Sequence, residues 1–289
     1  MILLGGVGLA AIGGGAVGAL FVLDRVAHVT VRPRPRDPTV AVPELGFRHE
    51  DVVVPSGEHD LKAWLLWPAA DGPDRPLVLM THGWGASHET LLALARAVVD
   101  GGYPVLLFDV RGHGRNEEVA TATIRQFRDD VMAATRFARA RFPGRPLVFA
   151  GHSLGGAAGI LAAAEGSPLD GLVLLATPAN VLEVTADYLR DKGFPGRFMV
   201  VALRPFWWIR LGGTFRGFMP ERKIAELSLP ILIVHPELDR RVPMAHAERL
   251  VRNSDAVREV IAGAGHTDFL GLAATHRAVL DFLEHVASG

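Results

Sequence analysis

Four short, almost uninterrupted apolar runs, Leu77–Thr81, Val105–Val110, Leu147–Ala150 and Leu172–Ala176, leave this chain few folds to choose from. Each is too short for a helix and rich in Val and Leu, the composition of parallel strands buried on both faces. Helical stretches separate them. Glu89–Val99 places Leu91, Leu92, Leu94, Ala95 and Val98 at helical spacing, and Thr123–Phe142 does the same with Ile124, Phe127, Val131, Ala134 and Phe137. Leu154–Ala164 is small and apolar, as suits a helix pressed on a sheet. Ile231–His235 and Glu259–Ile261 supply the last strands and Thr267–Val286 the final helix. Ahead of them, Phe47–Val54 and Leu61–Trp67 read as an antiparallel hairpin turning at Pro55-Ser56-Gly57. Strand and helix alternating in this order predict an α/β protein with a doubly wound, mostly parallel sheet. Ligands of such sheets sit at the carboxyl ends of the strands.

One of those ends carries Gly151-His152-Ser153-Leu154-Gly155. A strand before it and a small-residue helix after it give the setting that a nucleophile elbow requires. Gly151 and Gly155 leave room for a sharp turn that pushes the Ser153 hydroxyl out at the start of a helix. There the backbone N–H of Leu154 points at any oxyanion, aided by the helix dipole. By itself the pentapeptide fits a helix N-cap equally well.

A serine hydroxyl needs a base, and a histidine held by an acid supplies one. Of 12 histidines, His246, His266, His276 and His285 follow the last candidate acid, as the order Ser, acid, His on such a sheet demands. His246 lies in an expected helix behind Pro243, and His276 and His285 lie on the last helix. His266, in Gly263-Ala264-Gly265-His266, sits in a loop at a strand end. For the acid, Asp239 lies just past the strand Ile231–His235; Glu237 and Asp268 are its rivals, the latter close in sequence to His266. The triad is therefore read as Ser153, Asp239 and His266. The run Thr81-His82-Gly83-Trp84-Gly85 follows another strand where a second oxyanion donor is expected, most simply the Trp84 N–H paired with that of Leu154.

With these motifs in hand, residues 47–287 resemble the α/β-hydrolase superfamily. Phe108-Asp109-Val110-Arg111-Gly112-His113-Gly114 is similar to the segment after its second parallel strand, and Leu238-Asp239-Arg240-Arg241-Val242-Pro243 to its acid loop. The nearest branch is the serine-aminopeptidase and monoacylglycerol-lipase-like hydrolases, including membrane-tethered Bem46-type members. Pro236, where many relatives have Gly, and Arg115 and Asn116, where a Ser follows Gly114, depart from the pattern. The resemblance implies an α/β-hydrolase fold at 47–289 with a cap inserted at 178–229. His82, His113 and His152 are read as structural hydrogen-bonding groups.

The segment before this domain is unusual. Residues 1–23 carry no charge, and a helix of that length spans about 34 Å against about 30 Å of hydrocarbon. It is read as a single-pass transmembrane anchor, since a signal peptide would carry Lys or Arg first. Residues 24–46, rich in Pro and Arg, are read as a stalk. Arg25, Arg32, Arg34 and Arg36 favour a cytoplasmic catalytic domain.

A net charge of −1 with no basic block points away from nucleic acid. The absence of cysteine excludes a thiol nucleophile and disulfides. No cofactor or metal is required by the chemistry. Phe198–Leu203 with Phe206-Trp207-Trp208 makes the cap apolar, which favours a small-molecule, lipid-like ester as partner. The expected function is ester hydrolysis through an acyl-enzyme. The alternatives are a peptidase, thioesterase or acyltransferase on the same triad, and a non-catalytic, membrane-tethered binding protein.

Overall fold

The computed structural model describes residues 3–33, 38–40, 42, 46, 48–211 and 218–288, with the side chains of all but 3–16 and 211. Strands β1 (Arg48–Ser56), β2 (His59–Trp67), β3 (Leu77–Thr81), β4 (Val105–Phe108), β5 (Leu147–His152), β6 (Gly171–Leu175), β7 (Ile231–Pro236) and β8 (Val257–Ile261) form one sheet in the order β1-β2-β4-β3-β5-β6-β7-β8. β1 and β2 are antiparallel to their neighbours and the rest are parallel. The opening hairpin is tighter than the sequence suggested. Ser56 pairs with His59, so Pro55 and Ser56 belong to β1 and Gly57-Glu58 makes the turn. Gly57 takes φ 65°, a left-handed conformation that glycine adopts at no steric cost.

Helices cover both faces, and the strands divide their side chains between them with a period of two. Leu77, Leu79, Leu147 and Phe149 pack with Phe127 and Val131 of α3 (Ile124–Arg141) and Ala157 and Leu161 of α4 (Leu154–Ala164). Val78, Met80, Val148 and Ala150 pack with Leu94 and Val98 of α2 (Leu92–Asp100) and Val279 and Leu283 of α9 (Ala273–Ser288). Burial of each such Leu, Ile or Val contributes about 1.5–3 kcal/mol. α9 starts later than expected. Asp268–Gly271 forms a 3₁₀ turn instead, with Phe269 and Leu270 buried beneath the loop that carries His266.

The expected cap, 178–229, holds α5 (Val181–Asp191), α6 (Gly196–Leu211), α7 (Pro220–Lys223) and a 3₁₀ turn at Ile224–Glu226; its residues 212–217 lie outside the described residues. α5 is N-capped by Asn180, whose side chain accepts from the Leu182 N–H. The later helix α8 (Ala245–Arg252) follows β7.

The N-terminal segment departs from expectation. α1 (Leu3–Val31) does not stop at residue 23 but runs on through Asp24 and Arg25. Among the described residues no helix is long and apolar enough to cross a membrane. Most of the expected anchor, residues 1–2 and the side chains of 3–16, lies outside the described residues. The transmembrane anchor, and the cytoplasmic placement that rested on it, therefore find no support.

The C-terminal part of α1 packs on protein, while Val17, Leu20, Phe21 and Val22 are exposed. Ala27 is buried with Ala186 and Leu189 of α5 and Val200, Leu203 and Trp207 of α6, an apolar cluster separate from both sheet layers. Trp207 Nε1–H donates to Thr30 Oγ1 at 2.9 Å and Ala27 O at 3.2 Å, and Arg210 pairs with Asp24 at 2.7 Å. Part of the expected stalk is described. Residues 24–31 are helical, Val42 is buried in the α2–α9 layer, and Pro33 lies where a Cβ on Gly112 would stand. Of the stalk, 34–37, 41 and 43–45 lie outside the described residues.

Candidate active site

β5 is buried throughout and delivers Ser153 at φ 53°, ψ −120°. A residue with a Cβ rarely occupies that region, and holding it there costs about 1–3 kcal/mol. The turn is over-determined by its surroundings. Ser153 N–H donates to Leu175 O of β6 at 2.8 Å. A Cβ at Gly151 would lie 2.5 Å from Gly156 N, and one at Gly155 2.5 Å from His82 O. Ser153 does hold the N-cap position of α4, yet its hydroxyl makes no capping hydrogen bond. Capping therefore does not occupy that oxygen. Leu154 is the first residue of α4, at the positive end of the helix dipole.

β7 and β8 end beside this turn. Their loops are laced together by Glu237 N–H to Ile261 O (2.9 Å) and Leu238 N–H to Ala264 O (3.0 Å). Of the three acids weighed from the sequence, Asp239 is the one within reach of His266: Nδ1–H donates to Oδ2 at 2.7 Å. The other Asp239 oxygen accepts the N–H groups of Arg241 and Val242, both at 2.8 Å. Burial alone would raise this carboxyl, but the hydrogen bond and charge of His266, with the two backbone donors, hold it below the ordinary range. Glu237 instead accepts from Gly263 N–H, and Asp268 from Thr267.

His152 joins the two halves. Its Nε2–H donates to His266 O at 2.8 Å and its ring lies 4.7 Å from the His266 ring. The residue before the serine thus fixes the backbone of the histidine loop. Burial lowers the His152 pKa to about 3, so the ring is neutral. Sequence alone assigns this histidine a structural role, but nothing in it marks the partner 114 residues away. His235 and His246 are also buried. His235 Nε2–H donates to Val242 O at 2.8 Å, bracing the acid loop, and His246 Nδ1 accepts from Ala179 N–H.

The loop after β3 closes the site from the other side. Gly83 abuts the serine, since a Cβ there would lie 2.8 Å from Ser153 Cβ. Trp84 is 38% exposed, its ring stacked on Phe127 at 6.3 Å and meeting His113 edge-on at 5.4 Å. Burial lowers the His113 pKa to about 4. Sequence reasoning passed over Asp109 and His88, whose side chains meet behind this loop; the Asp109 strand-end position was the available signal. Among the described residues no group of three or more His, Asp or Glu is arranged to hold a metal ion.

In the cap, a cavity of about 330 Å³ is lined by Leu182, Ala186, Val200, Val201 and Met219 and equally by Asn180, Glu183, Asp187, Arg197 and Arg204, and it contains none of Ser153, Asp239 and His266. A larger one, about 770 Å³, lies by Trp67, Asp71, Arg75 and Gly101 and contains none of the residues above.

A family model described as serine aminopeptidase, S33, matches residues 72–195. The chain is similar to Protein ABHD12B of Homo sapiens, with 30% identity over 222 residues that make up 70% of this chain and 58% of that protein. It is also similar to Lysophosphatidylserine lipase ABHD12 of Danio rerio, 28% identical over 61% of this chain and 46% of that protein. It thus spans about half the length of these curated relatives. The Pyrococcus furiosus esterase Pf2001 shares the fold, with TM-score 0.69 and 16% identity over 88% of this chain and 97% of that one.

Proposed function

The chain belongs to the α/β-hydrolase superfamily, and from that premise we propose that it is a serine hydrolase cleaving carboxylic esters with an apolar acyl part. One observation carries this reading: a strained, uncapped Ser153 whose neighbour His152 is hydrogen-bonded to His266, itself hydrogen-bonded to a buried carboxylate. In the cycle proposed, Ser153 Oγ attacks the ester carbonyl while His266 Nε2 takes its proton. The N–H groups of Leu154 and Trp84 hold the oxyanion, and losing one such donor costs about 10²–10³ in rate. His266 passes the proton to the departing alcohol, leaving Ser153 acylated. Water, deprotonated by His266, then releases the acid. Asp239 keeps Nδ1 protonated so that Nε2 is free as base, and stabilises the imidazolium without taking its proton.

Leu182, Ala186, Val200, Val201 and Met219, the apolar half of the cap cavity's lining, support an apolar acyl chain. Similarity to the zebrafish lysophosphatidylserine lipase supports a lipid-like ester. A second reading, amide hydrolysis at an amino terminus, is favoured by the description of the matching family model.

Turnover of p-nitrophenyl esters of graded chain length, beside aminoacyl p-nitroanilides and with Ser153→Ala as blank, separates them. Ester turnover that grows with chain length and vanishes in the blank is expected. Preferential anilide cleavage selects the second reading, and a folded protein inert to both overturns each.

A further inference from the structure

Asp109 is a fully buried carboxylate that the reaction above does not use. It stands just past the end of β4, and its contacts are made with one loop. Oδ1 accepts the backbone N–H of His88 at 2.6 Å and Oδ2 accepts His88 Nδ1–H at 2.8 Å. His82 Nε2 lies 3.4 Å from Oδ1 but accepts the Val110 N–H at 3.4 Å, while His82 Nδ1–H donates to Gly83 O at 2.7 Å. His82 and His88 are the two ends of the run His82-Gly83-Trp84-Gly85-Ala86-Ser87-His88. The carboxylate therefore ties down the His88 end of the loop that abuts Ser153 and carries the expected Trp84 donor, and it lies beside the His82 end.

The carboxylate is itself fixed. Asn116 Nδ2 donates to Asp109 O at 2.8 Å and to Val110 O at 3.1 Å. Gly114 sits at φ 55° so close that any Cβ there would collide with the Asp109 carboxylate. The ring of Trp64 lies 4.1 Å from that of His88. An ionised, dry carboxylate of this kind is costly unless its partners are good. Burial would raise the Asp109 pKa, and the hydrogen bonds and charge of His82 and His88 bring it well below the ordinary range.

We propose that Asp109 is a positioning residue for the reaction: acting through His88, it holds the Trp84 N–H where an oxyanion on Ser153 requires it. The inference rests on the ester-hydrolase reading. Geometry matters here because an oxyanion donor contributes only when set in advance; a misplacement of about 1 Å costs about 10²-fold in rate.

The test compares Asp109→Asn, His88→Leu and His88→Asn with the parent chain. Asn carries an N–H where His has Nδ1–H, so His88→Asn restores the donor that His88→Leu removes. Ester kcat and KM are read beside the affinity for an alkylboronic acid, whose adduct with Ser153 places an oxygen in the oxyanion position. Leu283→Ala, in α9, controls for lost stability.

Asp109→Asn and His88→Leu are expected to lower kcat about 10–100-fold, with KM within about twofold and boronate affinity falling in step with kcat. His88→Asn is expected to recover most of the rate, and Leu283→Ala to keep it. Variants that lose melting temperature but keep kcat and boronate affinity would overturn the proposal. If Asp109→Asn does not fold, the His88 pair decides by the same readings. A parent chain that neither turns over esters nor binds the boronate would instead bring down the ester reading, and this inference with it.

Discussion

Lowering the pH from 7.5 to 5.5 should cost this fold about 4 kcal/mol without touching a carboxylate. The cause is a set of histidines buried as neutral rings: His113, His152 and His246 are 0%, 2% and 4% exposed. Burial is the main cause that brings their pKa values from 6.5 to about 4, about 3 and about 4. Each group is depressed in the folded state, so its contribution to stability is fully present above pH 6.5 and is lost as pH falls toward the folded value. At pH 5.5 the unfolded chain holds about 0.9 proton on each of the three and the folded chain almost none. Summed over the three histidines the difference is about 4 kcal/mol, with a slope of about 4 kcal/mol per pH unit. His235, also lowered by burial, adds to it in the same direction. Asp109 and Asp239 have folded pKa values below 3.8, so their contribution fails only below about pH 4 and leaves this window clean. Against a typical total stability of about 5–15 kcal/mol the loss is large. Urea unfolding followed by tryptophan fluorescence at half-unit pH steps measures it. A stability constant across the window, or an uptake of fewer than one proton on unfolding, would refute the claim that these rings are neutral when folded.

Three further outcomes are expected. Asp239→Asn keeps the contact with His266 but favours the wrong tautomer, and should lower kcat about 10⁴-fold with KM little changed in steady-state assays. Gly155→Ala places a Cβ 2.5 Å from His82 O and 2.9 Å from Thr81 O; neither backbone can yield cheaply. It should cost about 1–3 kcal/mol by urea titration and at least about tenfold in turnover. Trp207→Phe removes the donor shared by Thr30 and Ala27, and should lower the unfolding free energy by about 1–2 kcal/mol if α1 belongs to the cap.

Much of the fold was legible because strands buried on both faces leave unbroken apolar runs, and β3 and β5 stand where those runs stand. The start of α3 was legible too, since Thr123 and Gln126 form a capping box. Around the serine, local order sufficed to bring Asp239 and His266 together, because each follows directly on a strand end.

Other features needed the third dimension. The C-terminal part of α1 packs Ala27 against Trp207, a protein partner that no periodicity discloses, while Val17, Leu20, Phe21 and Val22 stay exposed. The pairing of Asp109 with His88 spans 21 residues and depends on β4 lying beside β3, a crossover in the sheet order. The late start of α9 followed from Phe269 and Leu270 turning into the core, which a helical reading of 267–272 could not distinguish.

The central claim is that Ser153 is a nucleophile activated by His266. Covalent labelling with a fluorophosphonate, read by intact mass and peptide mapping, tests it most directly. One adduct on the peptide holding Ser153, absent in Ser153→Ala and slowed in Asp239→Asn, is the expected result. A folded chain that stays unlabelled, or that carries the adduct at another residue, would contradict it.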